Sequence, residues 1–292
     1  MARKILRNID LYGMHGFQKS NASSSFNYEK LFAELQELPV DRRVFEVGRR
    51  VVAFPYARKF RRGILFLAVE GPIGVKPIIL DFESGEARTE NLTDTEVITE
   101  TTHVLVYPTT RRAVIEYNRR GAKALMLGAA VEHIARIQLP GFSNIEFSFS
   151  PVVSEEFNRE IDSLDRIRAV EFTVTKPNAG WADHYTELSD LLERSNGEKA
   201  DIGVRASRGE SLSKRTGVVA LIKQIARDRQ PYLLNARVFG SPSPEAPEIV
   251  VPLQQHVVRE KARVSATDSG QVNPQELASK MADLAEGHLP NP

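Results

Sequence analysis

Cysteine is absent from this chain of 292 residues. Disulfides, thiolate metal sites and a cysteine nucleophile are thereby excluded. Long apolar runs are missing as well. "GILFLAVEG" is interrupted by glycine and Glu70 after a few residues, far short of the roughly 20 apolar residues that a membrane-spanning helix needs. The opening "MARKILRNIDLYGMHGF" carries basic residues but no apolar stretch of signal-peptide length. A soluble, cytoplasmic protein is therefore expected. Net charge is nearly absent too, at +1.

Catalytic signatures are equally sparse. There is no glycine-rich phosphate loop of either the dinucleotide or the nucleoside-triphosphate type, and no Gly-x-Ser-x-Gly elbow. The six histidines stand singly, and the nearest metal-like spacing, His184–Glu187, lacks a second histidine. A metal-dependent nuclease would need carboxylates converging beside a lysine to hold cations and a nucleophilic water. Asp81 and Glu83, or Glu171 with Lys176, are the available groups. Glu171 and Lys176 fall on opposite faces of a strand, which spoils a shared site. The single Trp181 precedes a helical pattern, where it reads either as an apolar plug or as a platform for stacking bases. No cofactor is expected.

What the chain does contain is charge sorted by segment. From Arg42 to Arg62 there are eight cations against one acid, and from Asp81 to Glu100 seven acids against one cation. Such separation shapes association even when the total vanishes. The densest part is "YARKFRRG", with Arg58, Lys59, Arg61 and Arg62 beside Tyr56 and Phe60. Arg111, Arg112, Arg119, Arg120 and Lys123 form a further cluster, and Arg205, Arg208, Lys214 and Arg215 another. Glycines at 63, 121 and 209 mark turns beside several of these cations. Arginine predominates, and its planar fork grips phosphate oxygens with two donors. Cations spread along a surface are what sequence-tolerant binding of duplex DNA requires. Thr110, Ser207, Ser211 and Ser213 could add phosphate hydrogen bonds. Two alternatives stand beside this: the basic and acidic segments neutralise each other, or arginines guard sheet edges against pairing.

The hydrophobic pattern predicts an α+β fold with mixed or antiparallel sheets, flanking helices and two subdomains. "NYEKLFAELQEL" has one apolar helical face ended by Pro39. "RRVFEVGRRVVAFPY", "GILFLAV", "KPIILDF" and "HVLVYPTTRRAVIEYN" read as strands. A helix over residues 122–138 and an alternating strand "PGFSNIEFSFSP" follow. Pro140–Gly141 is the candidate boundary, giving units 1–140 and 141–265 and a C-terminal helix and tail 266–292. In the second half, "SEEFNREI", "DHYTELSDLLERS" and "TGVVALIKQIARDRQ" predict helices among the strands "IRAVEFTVTK", "ADIGVRAS", "YLLNARVFG" and "QHVVREKARVSA". Proline-rich "SPSPEAPEIVVP" predicts an extended connector.

From Val104 onward, "VLVYPTTRRAVIEYNRRG", "LDRIRAVEFTVTKPN" and "ADIGVRASRGESLSK" occur in an order that resembles RexA, the soluble component of Rex-type phage-exclusion systems. The resemblance implies a dimeric, non-enzymatic protein that binds double-stranded DNA with little sequence preference and works with a membrane-embedded partner. It also implies a two-fold clamp with a basic inner wall. The basic positions named above come from this sequence alone. Alternatives from other classes are a metal-dependent nuclease using Asp81, Glu83 or Glu171, and a protein-interaction module without nucleic acid.

Overall fold

A computed structural model describes residues 3–18, 26–81, 83–93, 95–175, 199–227 and 233–288. Its frame is one large antiparallel sheet organised around the first strand, β1 (Lys4–Gln18). Fifteen residues make β1 long enough to serve two partners along one edge. Its first half pairs with β14 (Arg259–Ser265) and its second half with β9 (Ile145–Pro151). Along the other edge lie β8 (Arg112–Tyr117), β7 (Glu100–Tyr107), β4 (Gly63–Pro72), β3 (Arg50–Phe60) and β2 (Val44–Val47), in that order.

Both faces of this sheet are covered. On one, Leu31, Phe32 and Leu35 of α1 (Tyr28–Glu37) and Leu127, Val131 and Ile134 of α2 (Ala124–Gln138) pack on Phe66, Val106, Ile115 and Phe147. Asn27 starts α1 by accepting a hydrogen bond from the Lys30 amide, a standard N-terminal cap. Gly128 lets α2 settle on β9, because a Cβ there would meet the Ser148 backbone at 3.2 Å. On the other face, Leu277 and Met281 of α5 (Pro274–Glu286) cover Leu11, Leu105 and Val114. Burial on both sides is reached in the first half of β4, where Leu65 faces α5 while Ile64 and Phe66 face α1 and α2; within "FLAV" itself only Phe66 and Ala68 are buried, and Leu67 and Val69 are partly exposed.

A second core lies within a smaller antiparallel sheet, ordered β11 (Lys199–Arg205), β10 (Arg166–Thr175), β12 (Leu233–Ser241) and β13 (Ile249–Pro252). The helices α3 (Glu155–Ser163) and α4 (Gly217–Arg227) cover one of its faces with Phe157, Ile161, Val219 and Ile222. The fold is α+β, as the pattern predicts, with every sheet antiparallel.

The predicted boundary at Pro140–Gly141 is corrected. These residues open a single 3-10 turn that carries α2 directly into β9 of the same sheet. The chain passes from one core to the other at Val152–Val153 and returns between Leu253 and Val258. The two crossings run side by side, with Val153 bridged to Val257 and Val258 donating to the Val152 carbonyl. The smaller unit is thus an insertion, and β14 and α5 complete the larger one. The proline-rich stretch is not the extended connector expected: it turns at residues 243–246, where the Ala246 amide donates to the Ser243 carbonyl, and folds back so that its end becomes β13 on the edge of the small sheet, antiparallel to β12. The predicted helix "DHYTELSDLLERS", with Trp181, His184 and Glu187, lies outside the described residues, as does Lys176.

"KPIILDF" belongs to neither core. Among the described residues its β5 (Ile78–Leu80) pairs only with β6 (Ala87–Thr89), leaving Ile78 73% and Leu80 61% exposed. Among the described residues no helix is long and apolar enough to cross a membrane.

Candidate nucleic-acid interface

The structure separates the basic clusters. The β3–β4 turn with Arg61 and Arg62 and the β7–β8 turn with Arg111 share one end of the large sheet, because Gly63, Ile64, Val106 and Arg112 are held in neighbouring registers. Arg119, Arg120 and Lys123 follow the far end of β8. Six strand residues lie between, about 20 Å of sheet.

Much of the first cluster is already engaged. Arg61, in the left-handed region at φ 49°, reaches α5 and pairs with Asp283 at 2.9 Å and Glu286 at 3.3 Å. Those two carboxylates raise its pKa. The Arg58 guanidinium lies 5.6 and 5.8 Å from the ring centres of Tyr56 and Phe60, so these aromatics serve the arginine itself. Lys59 points to the opposite face, since adjacent strand residues alternate. The Arg111 guanidinium covers the Tyr28 ring at 5.5 Å, and Arg112 is half-buried in β8. Arg62 is exposed. Charge reversal at Arg61 alone is therefore expected to change duplex affinity by less than about twofold, because its charge is already offset locally. A binding titration of Arg61→Glu measures this, and a large loss would return Arg61 to the interface.

The far end of the sheet behaves differently. Its α1/α2 face extends beyond the helices, and there β14 contributes Arg259, Lys261 and Arg263 on one side of the strand, with Ala262 and Val264 turned to α5. Side chains two apart on a strand repeat every ~7 Å, so three cations form a regular row. Register extends the row into the sheet. Arg259 stands opposite Asp10, and Lys261 opposite Asn8, which is itself opposite Tyr117. The Tyr117 ring takes two cations, with Lys123 Nζ 4.8 Å and the Arg259 guanidinium 4.9 Å from its centre. Lys123 donates to the Asn118 carbonyl. Burial lowers the Lys123 pKa, Glu70 opposes that shift, and the nearby charge of Arg119 lowers it further.

One cation of the row is committed. Arg259 holds Asp10 by two hydrogen bonds, Nε–Oδ1 at 2.6 Å and Nη2–Oδ2 at 2.7 Å, and Asp10 is only 2% exposed. Burial, with the Asp10 charge, holds the Tyr12 hydroxyl far above its ordinary pKa. Lys261, Arg263 and Arg119 are exposed and make no ion pair among the described residues. Arg120 meets Glu100 only at 3.9 Å and is 83% exposed.

Arg259, at the inner end of the row, and Lys123 line a cleft of about 680 Å³ between the large sheet and the inserted unit. Asp10, Tyr117, Lys123 and Arg259 form one wall, and Asn235, Arg237 and Gln254 the other. Of the remaining predicted cations, Arg205 is on the uncovered face of the small sheet, and Arg208 is in the turn that follows, next to Gly209 at φ 89°. Lys214 donates to the Asp162 carbonyl on the helical side of the inserted unit, with exposed Arg215 beside it. The structure therefore brings Lys123 to the cleft, with Arg119 near enough for its charge to act on Lys123 and Arg120 turned to Glu100, and leaves Arg58, Lys59, Arg61, Arg62, Arg111, Arg112, Lys214 and Arg215 elsewhere. Sequence reading missed Arg259, Lys261, Arg263 and Arg237. The signal was present in "REKARVS", where cations alternate with Ala262 and Val264.

The carboxylates of the nuclease alternative are dispersed. Asp81 accepts from the Glu83 and Ser84 amides, which lowers its pKa and ties it to the β5–β6 turn. Glu171 lies on the small sheet. Among the described residues no group of three or more His, Asp or Glu is placed to hold a metal ion. The acidic and basic segments are not joined by an ion pair among those residues either: Arg50 pairs with Glu70, and Arg88 with Glu90.

Neither a protein-family model nor a curated protein matches the chain.

Proposed function

We propose that this chain binds double-stranded DNA without reading its sequence, and that Lys261, Arg263, Arg119, Lys123 and Arg237 contact the phosphates. The supporting observation is the period-two row on β14 beside the cleft: cations at a regular ~7 Å step suit a polyanion of repeating charge. The row holds no recognition helix aimed at a groove, which agrees with contacts that position rather than specify. A binding role of this kind needs no chemistry, so the duplex leaves intact. The resemblance to RexA implies a role in cytoplasmic phage exclusion, with a homodimer as sensor and a membrane protein as partner, and we propose that setting for the binding. Two copies related by a two-fold axis would then set two such rows around one duplex.

Titration of two unrelated duplexes against salt tests this. The expected result is equal affinity for both and a log–log slope of about −4 to −5, since five phosphate contacts contribute ~0.9 each. Retention absent even at low ionic strength would overturn it. Degradation of the duplex with Mg²⁺ or Mn²⁺ would favour the nuclease instead. A protein-interaction role has its own support in the exposed Ile78 and Leu80 of the acidic β5–β6 hairpin, because an isolated two-stranded hairpin has little stability without a partner.

A further inference from the structure

We propose that an unpaired DNA strand continuing from the bound duplex lies in a trough across the open face of the small sheet. This rests on the duplex reading above and adds a second ligand class to it. The helices α3 and α4 bury Val170, Phe172 and Val238 on one side of that sheet. The alternating residues face outward, and among the described residues no helix of that core covers them. Glu171, Thr173, Asp201, Gly203, Asn235 and Arg237 line a hollow of about 430 Å³ there. Asn235 and Arg237 also line the 680 Å³ cleft, so the two spaces adjoin at these side chains. At its far side Glu171 is shared with a third hollow of about 230 Å³, edged by Arg168 and Arg205.

The floor of the trough is Gly203. Among the described residues nothing lies within 4 Å of where its Cβ would be, and its backbone is not left-handed. Neither conformation nor crowding demands glycine, and a glycine within a strand often marks the close approach of a ligand. Cations stand at both ends of the trough, Arg237 towards the cleft and Arg205 two residues beyond Gly203. Acceptors stand between them. Glu171 is directly opposite both Gly203 and Arg237 in register. Asp201 accepts from Thr173 Oγ1 at 2.6 Å, which fixes its carboxylate. Carboxylates accept from exocyclic amines such as that of cytosine, and flanking arginines take the phosphates of a single strand. A paired base has its edge engaged with its partner, so such a site admits an unpaired strand. Among pyrimidines it favours cytosine over thymine, which has no amine.

The test compares one duplex, blunt or carrying an oligo-dC or oligo-dT extension, on the full-length chain. An oligo-dC extension is expected to tighten binding roughly tenfold, the scale of one or two charge-assisted hydrogen bonds, and oligo-dT clearly less. Gly203→Val should abolish the gain while leaving blunt-duplex affinity unchanged, because its side chain enters open space and valine suits a strand. Retained blunt-duplex affinity reports that the variant is folded. Glu171→Gln provides a second variant and should narrow the difference between oligo-dC and oligo-dT. An extension that gains nothing, or a gain that survives Gly203→Val, overturns this inference and leaves duplex binding standing. Failure of the blunt duplex to bind the wild-type chain overturns the reading beneath it.

Discussion

Reversing Lys261 and Arg263 together to glutamate is expected to weaken duplex binding about a hundredfold or more, on unrelated sequences alike. Each side chain is exposed, and neither forms an ion pair among the described residues. Each is therefore available to a phosphate oxygen, and a charge-assisted hydrogen bond contributes ~1.5–3 kcal/mol. Loss of two contacts should also flatten the log–log salt dependence by about 1.8. The fold should be indifferent, because both residues lie on an edge strand whose buried side is carried by Ala262 and Val264. Equal melting behaviour with lost affinity is thus the expected pair of results. Affinity that survives the double reversal with the slope unchanged would remove β14 from the interface. The same change at Arg61 and Arg62, at the other end of the sheet, serves as a charge-matched comparison.

The contrast between those two pairs shows what was legible in the chain. Local features could be read. The apolar face of α1 and the alternation of Ile145, Phe147 and Phe149 follow from helical and half-buried strand environments. Cation density along the chain could be read too, but density is not availability. Arg61 is neutralised by Asp283 and Glu286, more than two hundred residues away in sequence. No periodicity announces a pairing of that range. The boundary failed for the same reason: β1 pairs Lys4 with Ser265, so the last strand of the large sheet comes from the far end of the chain. Proline and glycine at 140–141 mark a turn, and a turn within a domain looks like a turn between domains. The row on β14 was legible in principle, being spaced at period two. It was overlooked because three cations over five residues are less conspicuous than four in "YARKFRRG".

The largest stability effect is expected at the one cation of the row that is not free. Asp10 sits in the middle of β1, between β14 and β8, and both of its oxygens are held by Arg259. The two partners are unequally placed: Asp10 is 3% exposed by side chain and Arg259 39%. Removing either one therefore has different consequences. Arg259→Met leaves a buried carboxylate without its counter-charge and should cost about 3–5 kcal/mol. Asp10→Ala leaves a guanidinium that already reaches solvent, and should cost ~1.5–3 kcal/mol, the value of a hydrogen bond to a charged group. Denaturant unfolding of the two variants measures the order, and a larger loss for Asp10→Ala would refute it. Binding supplies an independent check. With Asp10 gone, Arg259 is released beside Lys261, so Asp10→Ala should bind duplex more tightly than the parent and steepen the salt slope by about 0.9. A carboxylate that stabilises the sheet thus restrains the charge of the cleft, and one substitution should move stability and affinity in opposite directions.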